Sequence, residues 1–298
     1  MNLKYWLTAF RLRTLPLAFS SIIMGGSLAW YDGYFNIIIF LLALITTLCL
    51  QILANLANDY GDFVHGADHS GRVGPGRMMQ QGYITAAQMK VAIWVFIVIS
   101  SIFGVTLIVF SIGDHYQAGI PIALLGLLSI GAAVAYTMGK RPYGYMGLGD
   151  IMVFCFFGLV GVVGSYFLYY LDLKGEIFLP AAAIGLLATG VLNINNIRDM
   201  AQDEQSGKFT LAVKLGATGA RIYHLALILT SALLLSVYTW NYIDSAYRML
   251  FFILYPTLIL HAIRVYQTRD ETRLDPYLKS LSLLTFFLTI IYWAGLAL

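Results

Sequence analysis

The chain has 298 residues, of which 59% are hydrophobic and 11% charged, with a mean hydropathy of +0.77 and a formal net charge of +3. Soluble domains carry roughly 25% charged residues, so a water-soluble module is excluded and an all-α integral membrane protein is expected. A net charge this small leaves no footprint for nucleic acid, and the lipid bilayer is the partner that the composition demands.

A helix needs about 20 apolar residues to cross the hydrocarbon. The basic start, before Pro16, is not followed by a short apolar core with a small-residue cleavage site, so no cleavable signal is expected. Nine spans are predicted, over about 15–31, 36–58, 89–112, 118–138, 149–170, 178–197, 220–240, 247–265 and 279–297. The second span runs into Asn55-Leu56-Ala57-Asn58-Asp59-Tyr60-Gly61-Asp62. The connection after it, about 59–88, is long and glycine-rich and carries Arg72 and Arg77, a length common in functional lids. Lys140 and Arg141 open the connection between the fourth and fifth spans. The sixth span runs into Asn193-Ile194-Asn195-Asn196-Ile197-Arg198-Asp199-Met200-Ala201-Gln202-Asp203, and Lys208 follows in the next connection. Cys49 and Cys155 fall inside apolar runs without metal-ligand spacing and read as packing residues.

Charge tests this layout. With the N-terminus and the connections after even-numbered spans on one side, that side receives every Lys and Arg of the 18 except Lys174 and Arg248. The positive-inside rule makes it the cytoplasmic side and sends the C-terminus to the other. Both acid clusters then face the cytoplasm. The offset of 140 residues between them suggests a four-helix pseudo-repeat, about 15–138 and 149–265, with a ninth helix added, inside one domain covering 1–298.

In each cluster an amide, Asn55 or Asn195, precedes a carboxylate, Asp59 or Asp199, by one helical turn, and a second carboxylate, Asp62 or Asp203, follows three or four residues later. Residues three and four apart share a helix face, so each cluster aims its acids at one point. Hard oxygen ligands favour Mg²⁺ or Ca²⁺, and Mg²⁺ takes one or two carboxylates and completes its shell with water and phosphate. Arg72, Arg77, Lys140, Arg141 and Lys208 supply cations suited to phosphate oxygens. Acids for metal and bases for phosphate on one membrane face point to a diphosphate site, with Asp59, Asp62, Asp199 and Asp203 as metal ligands and Asn55 and Asn195 adding ligand oxygens. Asp68, Asp150 and Glu204 fit a solvated surface as well as a site, Glu204 best. A cation transporter is the competing class, but it would carry charges in mid-span.

These strings resemble the two aspartate-rich motifs of the UbiA-type intramembrane prenyltransferases. The resemblance implies nine transmembrane helices around a central, cytoplasm-facing cavity, and Mg²⁺-dependent transfer of a polyprenyl group from polyprenyl diphosphate to an aromatic acceptor. Leu15-Pro16-Leu17-Ala18-Phe19, the Asn55–Asp62 string, Arg141-Pro142-Tyr143-Gly144-Tyr145-Met146-Gly147-Leu148-Gly149-Asp150 and Asn193–Asp199 narrow it to the branch acting on 1,4-dihydroxy-2-naphthoate in the cytoplasmic (inner) membrane of bacteria, over 4-hydroxybenzoate, homogentisate or protohaem as acceptor. Carried over, Asp59, Asp62, Asp199 and Asp203 hold metal and diphosphate, Asn55 assists, Arg72 grips diphosphate, and Tyr136 and Lys140 line the cavity. The mechanism so implied has Tyr136, Tyr143 and Tyr145 shielding the allylic cation through their π faces. The third acid found in many members is replaced by Gly66, with Asp68 two residues later, and the Arg-Pro-x-Thr pattern appears as Arg11-Leu12-Arg13-Thr14, leaving the role of Arg11 open.

Overall fold

The computed structural model describes residues 3–66, 76–113, 115–139 and 142–298. Among these residues there is no strand, and nine helical stretches are long and apolar enough to span a bilayer. The chain runs α1 (Leu3–Phe10), α2 (Leu15–Tyr31), α3 (Ile37–Val64), α4 (Ala86–Ile112), α5 (Tyr116–Ala135), α6 (Gly149–Val153), a π-helix (Phe154–Gly164), α7 (Ser165–Tyr170), α8 (Phe178–Arg198), α9 (Met200–Gln205), α10 (Leu211–Tyr242), α11 (Tyr255–Gln267) and α12 (Asp275–Ala297). α6, the π-helix and α7 together form the fifth span, and α1 with α2 the first.

Local chemistry sets the boundaries. Pro16 sits in the first turn of α2, where its missing N–H costs nothing. Asn36 caps α3 by accepting from the amides of Ile38 and Ile39, and Thr85 with Gln88 forms a capping box on α4. Thr210 caps α10 by accepting from the amide of Val213, and Gly216, at φ 69°, breaks the first turns of α10 from the membrane-spanning remainder.

Two spans differ from the expected lengths in a way that matters. α3 continues past residue 58 to Val64, so Asp59 and Asp62 stand on the helix itself rather than in the connection. The first span begins earlier than residue 15, because the short amphipathic α1 joins α2 in it, and Arg11, at φ 49°, turns the chain between them.

α8 lies in the most enclosed span and α5 in the least enclosed. Small residues allow α8 to approach its neighbour closely. A Cβ on Gly158 of the π-helix would lie 2.7 Å from the Ala181 carbonyl oxygen, and one on Gly185 would lie 2.9 Å from that of Phe154. The main core packs α8 against α2, the π-helix, α10 and α12 around Met24, Leu28, Tyr166, Ile184, Leu187 and Leu288.

On the other side of α2 and the π-helix lies a cavity of about 410 Å³, walled also by α3, α4 and α5 and lined mostly by apolar and small side chains. Asn55, Asn58, Tyr136 and Tyr143 stand at one end. A separate apolar cluster of Ile22, Ala43, Leu107 and Leu168 lies at the other.

Candidate active site

The first acid cluster forms because α3 keeps its period to its last turn. Asn55, Asp59 and Asp62 lie at i, i+4 and i+7 on one face, and all three are buried. Gly61 lets α3 press on the segment after α5, since a Cβ there would run into the Thr137 carbonyl oxygen. Thr137 donates its hydroxyl to the Ala57 carbonyl at 3.0 Å, fixing that contact.

Buried carboxylates need cations or donors, and the structure supplies both. Arg77 reaches Asp62 Oδ2 at 2.6 Å and Asp59 Oδ1 at 3.3 Å, and donates to the Asn58 carbonyl at 3.0 Å. Arg11 pairs with Asp59 from the turn between α1 and α2, which gives that residue its role. Tyr145 donates its hydroxyl to Asp62 Oδ1 at 2.8 Å. The Asn55 amide nitrogen donates to the Phe10 carbonyl at 3.0 Å and Thr14 Oγ1 at 3.3 Å, tying α3 to the same turn.

The second cluster spans the junction of α8 and α9. Arg198 donates from Nε to Asp199 Oδ1 and from one terminal nitrogen to Asp199 Oδ2, both at 2.8 Å. That nitrogen also donates to Asn195 Oδ1 at 2.8 Å, and the other pairs with Asp275 at the start of α12. Asp203 sits one turn on, its amide donating to the Asp199 carbonyl at 2.8 Å. Lys208 lies 3.4 Å from Asp203 Oδ1, while Asp203 Oδ2 is buried with no hydrogen-bond partner among the described residues. Burial pushes the Asp203 carboxyl up to about 6; Lys208 opposes that rise, and the Asp199 and Asp62 charges add to it. Burial alone would lower Lys208, but the surrounding Asp62 and Asp203 outweigh it and hold its ammonium above the ordinary lysine value.

The two clusters are linked through Tyr145. The Tyr145 ring lies under Lys208, 5.7 Å from Nζ to the centroid, while its hydroxyl holds Asp62. Phe209 donates its amide to the Tyr145 carbonyl at 3.1 Å, which docks the Lys208 segment on the loop after α5. Tyr136 and Tyr143 meet edge to face at 5.3 Å at the cavity end nearest the acids, and Tyr143 donates to the Ala132 carbonyl at 2.7 Å. Burial raises both phenols above their ordinary value and keeps them neutral.

Of the residues singled out in the sequence, Asn55, Asp59, Asp62, Arg77, Tyr136, Tyr143, Tyr145, Asn195, Asp199, Asp203 and Lys208 are described here; Asp68, Arg72, Lys140 and Arg141 lie outside the described residues. The partners that sequence reasoning missed are Arg11, Arg198 and Asp275, and Tyr145 as the bridge. Only Arg198, adjacent to Asp199, carried a local signal. Among the described residues no three His, Cys, Asp or Glu side chains converge tightly enough to hold a metal by themselves. The donor set nonetheless fits a hard cation shared with phosphate: two carboxylate pairs, oxygen ligands throughout, and one buried carboxylate oxygen still seeking a partner.

Comparison with known proteins bears on this site. The model of the UbiA prenyltransferase family matches residues 18–294. The 1,4-dihydroxy-2-naphthoate octaprenyltransferase of Escherichia coli is 46% identical over 92% of this chain and 89% of its own length. That of Haemophilus influenzae is 42% identical over 99% of this chain and 96% of its own. In structure, a UbiA homolog from Aeropyrum pernix superposes with a TM-score of 0.70 at 18% identity, covering 97% of this chain and 98% of that one. One from Archaeoglobus fulgidus, bound to GPP and Mg²⁺, gives 0.63 at 14% identity, covering 97% and 100%. The nine-span fold is therefore that of these homologs, and the chain belongs to the UbiA prenyltransferase family.

Proposed function

We propose that the protein transfers a polyprenyl group from polyprenyl diphosphate to 1,4-dihydroxy-2-naphthoate, with loss of CO₂ and diphosphate, giving demethylmenaquinol for menaquinone synthesis. One observation carries the reading: two acid pairs and their basic partners are joined through Tyr145 beside the end of a long apolar cavity. The names of the relatives from E. coli and H. influenzae support the acceptor and suggest an eight-unit chain.

The cavity runs about 22 Å along α3 from Asn58 to Ala43, at about 1.5 Å per residue. Its apolar walls suit the polyprenyl chain, with the diphosphate lying at the acid end. Asp59, Asp62, Asp199 and Asp203 are the residues that would hold Mg²⁺, as bound in the A. fulgidus homolog. The ion supplies charge neutralisation for the departing diphosphate. Four acids face Arg11, Arg77, Arg198 and Lys208. Among these eight side chains the charges cancel, so the site suits metal and diphosphate taken up together better than either alone. The bases then face the phosphate oxygens as negative charge builds on the leaving group. Tyr136 and Tyr143 flank the allylic carbon as its C–O bond breaks, their rings facing the cation and excluding water. The acids and most of the Lys and Arg residues share one side, the cytoplasmic one by the positive-inside rule, with the C-terminus opposite.

The test supplies protein in membranes with octaprenyl diphosphate and either dihydroxynaphthoate or 4-hydroxybenzoate, with Mg²⁺ or a chelator. Prenylated naphthoquinol and CO₂ are expected only with dihydroxynaphthoate and Mg²⁺. Prenylation of 4-hydroxybenzoate instead refutes the acceptor, and turnover in chelator refutes the metal.

A further inference from the structure

One buried acid takes no part in the site described above. Asp150 opens α6 and is only 5% exposed. Among the described residues no Lys or Arg pairs with it, and its Oδ1 has no hydrogen-bond partner. The Tyr223 hydroxyl from α10 faces the same carboxylate.

The surroundings repeat the imbalance. Thr189 of α8 donates to the Asp150 carbonyl at 3.4 Å, so that face of α8 lies against α6. Asn193 and Asn196 follow Thr189 at i+4 and i+7 on the same face, both buried, and each side-chain oxygen lacks a partner. Asn193 spends its amide nitrogen on the Ala220 carbonyl, one turn from Tyr223. Three buried acceptor oxygens, on Asp150, Asn193 and Asn196, thus stand without a partner among the described residues on facing stretches of α6 and α8, and buried acceptors left unmade are costly.

This region backs onto the cavity wall. A Cβ on Gly149 would lie 3.1 Å from the Tyr136 hydroxyl and 3.4 Å from Leu192, and both of those residues line the cavity. Excess acceptor oxygens without a cation repel diphosphate and attract hydroxyl donors.

We propose that Asp150, supported by Asn193, Asn196 and Tyr223, is the subsite for the ring hydroxyl of the aromatic acceptor and takes its proton during transfer. This rests on the acceptor reading above. The hydroxyl concerned is the one next to the ring carbon that bears the carboxylate. As that carbon forms its bond to the allylic carbon, the hydroxyl proton passes to Asp150 and the C–O oxygen becomes a ketone. The product is a β-keto acid. Its C–CO₂ bond breaks, the electron pair restores the aromatic ring, and the oxygen recovers the proton from Asp150. No net proton is gained or lost, and no further reagent is needed.

Purified wild type, Asp150→Asn, Asp150→Glu and Tyr223→Phe are compared with dihydroxynaphthoate, Mg²⁺ and octaprenyl diphosphate labelled in the prenyl chain. Prenylated naphthoquinol and prenyl alcohol, the product of water capture, are counted separately. Asp150→Asn is expected to slow prenylation about 100-fold, as loss of a general base does, and to raise the ratio of alcohol to product roughly tenfold. The KM for the diphosphate stays within about threefold, because diphosphate binding does not use Asp150. Asp150→Glu recovers part of the rate, and Tyr223→Phe moves the ratio the same way by less. An unchanged ratio in Asp150→Asn, whether both products fall or neither does, overturns the assignment, as does a defect relieved by raising Mg²⁺, which would give the oxygens to a cation. Should Asp150→Asn not fold, an unchanged ratio in Tyr223→Phe overturns it. A wild type that prenylates another acceptor refutes the acceptor reading and this assignment with it.

Discussion

Replacing Asp203 by Asn sets stability against function. The carboxylate is buried, one oxygen has no partner, and its pKa stands at about 6 against 3.8. At about 1.4 kcal/mol per pH unit, that rise makes the ionised group cost the metal-free fold about 3 kcal/mol near neutral pH, with the help of Lys208 already counted. Asn keeps the shape and removes the charge. Without divalent cations, Asp203→Asn should therefore unfold at a higher temperature than wild type, by several degrees at about 2–4 °C per kcal/mol for a large domain. The same variant should lose the stabilisation that Mg²⁺ with a diphosphate analogue gives wild type, and its turnover should fall by about 100-fold or more. Thermal unfolding in detergent, with and without Mg²⁺ and analogue, measures the first two, and product formation the third. A variant that is less stable than wild type without metal, or that keeps its turnover, refutes the reasoning.

The same group gives a pH dependence. Its folded pKa lies above the unfolded value, so its contribution to stability is complete below about pH 4 and is lost as pH rises through about 6. Binding of Mg²⁺ with diphosphate, which needs the carboxylate ionised, should weaken as pH falls through about 6, as read by titration calorimetry. Arg77→Ala removes the guanidinium between Asp59 and Asp62, Asp59 keeping Arg11; it should cost about 3 kcal/mol of stability, as breaking a buried pair does, and Mg²⁺ should restore part of the lost unfolding temperature. Gly61→Ala drives a methyl group into the Thr137 backbone and should cost about 1–3 kcal/mol, with a fall in turnover because Asp59 and Asp62 flank it. Lys174→Ala, on the opposite face, removes a 2.7 Å pair with Asp32 that is partly exposed; it should cost under about 1 kcal/mol and leave turnover within about twofold.

The spans were legible because hydropathy and the one-sided placement of Lys and Arg report the same nine crossings. The acids were legible for a similar reason: amide and carboxylate at helical spacing imply a shared face, which α3 provides for the first cluster, while the second straddles the junction of α8 and α9. What pairs with each acid was not. Arg77 was expected to meet phosphate and instead pairs with Asp59 and Asp62, and Arg11 looks like other positive-inside residues until the fold turns it inward. Arg11 does so through a left-handed backbone conformation that no pattern announces. Tyr145 bridges the clusters only because the loop after α5 docks on the Lys208 segment, a contact 64 residues apart in sequence. Asp150 fits a solvated turn in the sequence and proves buried, since its surroundings come from α8 and α10. The π-helix from Phe154 to Gly164 has the composition of an ordinary apolar span.

The central claim is that acids 140 residues apart make one metal–diphosphate site. The direct test is Mg²⁺-dependent binding of a non-hydrolysable allylic diphosphate to wild type, Asp62→Asn, Asp203→Asn and the double variant. If the acids act together, each single change removes most of the Mg²⁺-dependent affinity and the double variant is little worse than the weaker single, a coupling of about 1 kcal/mol or more. Losses that simply add, or Mg²⁺-dependent binding that survives in either single variant, would contradict the shared site.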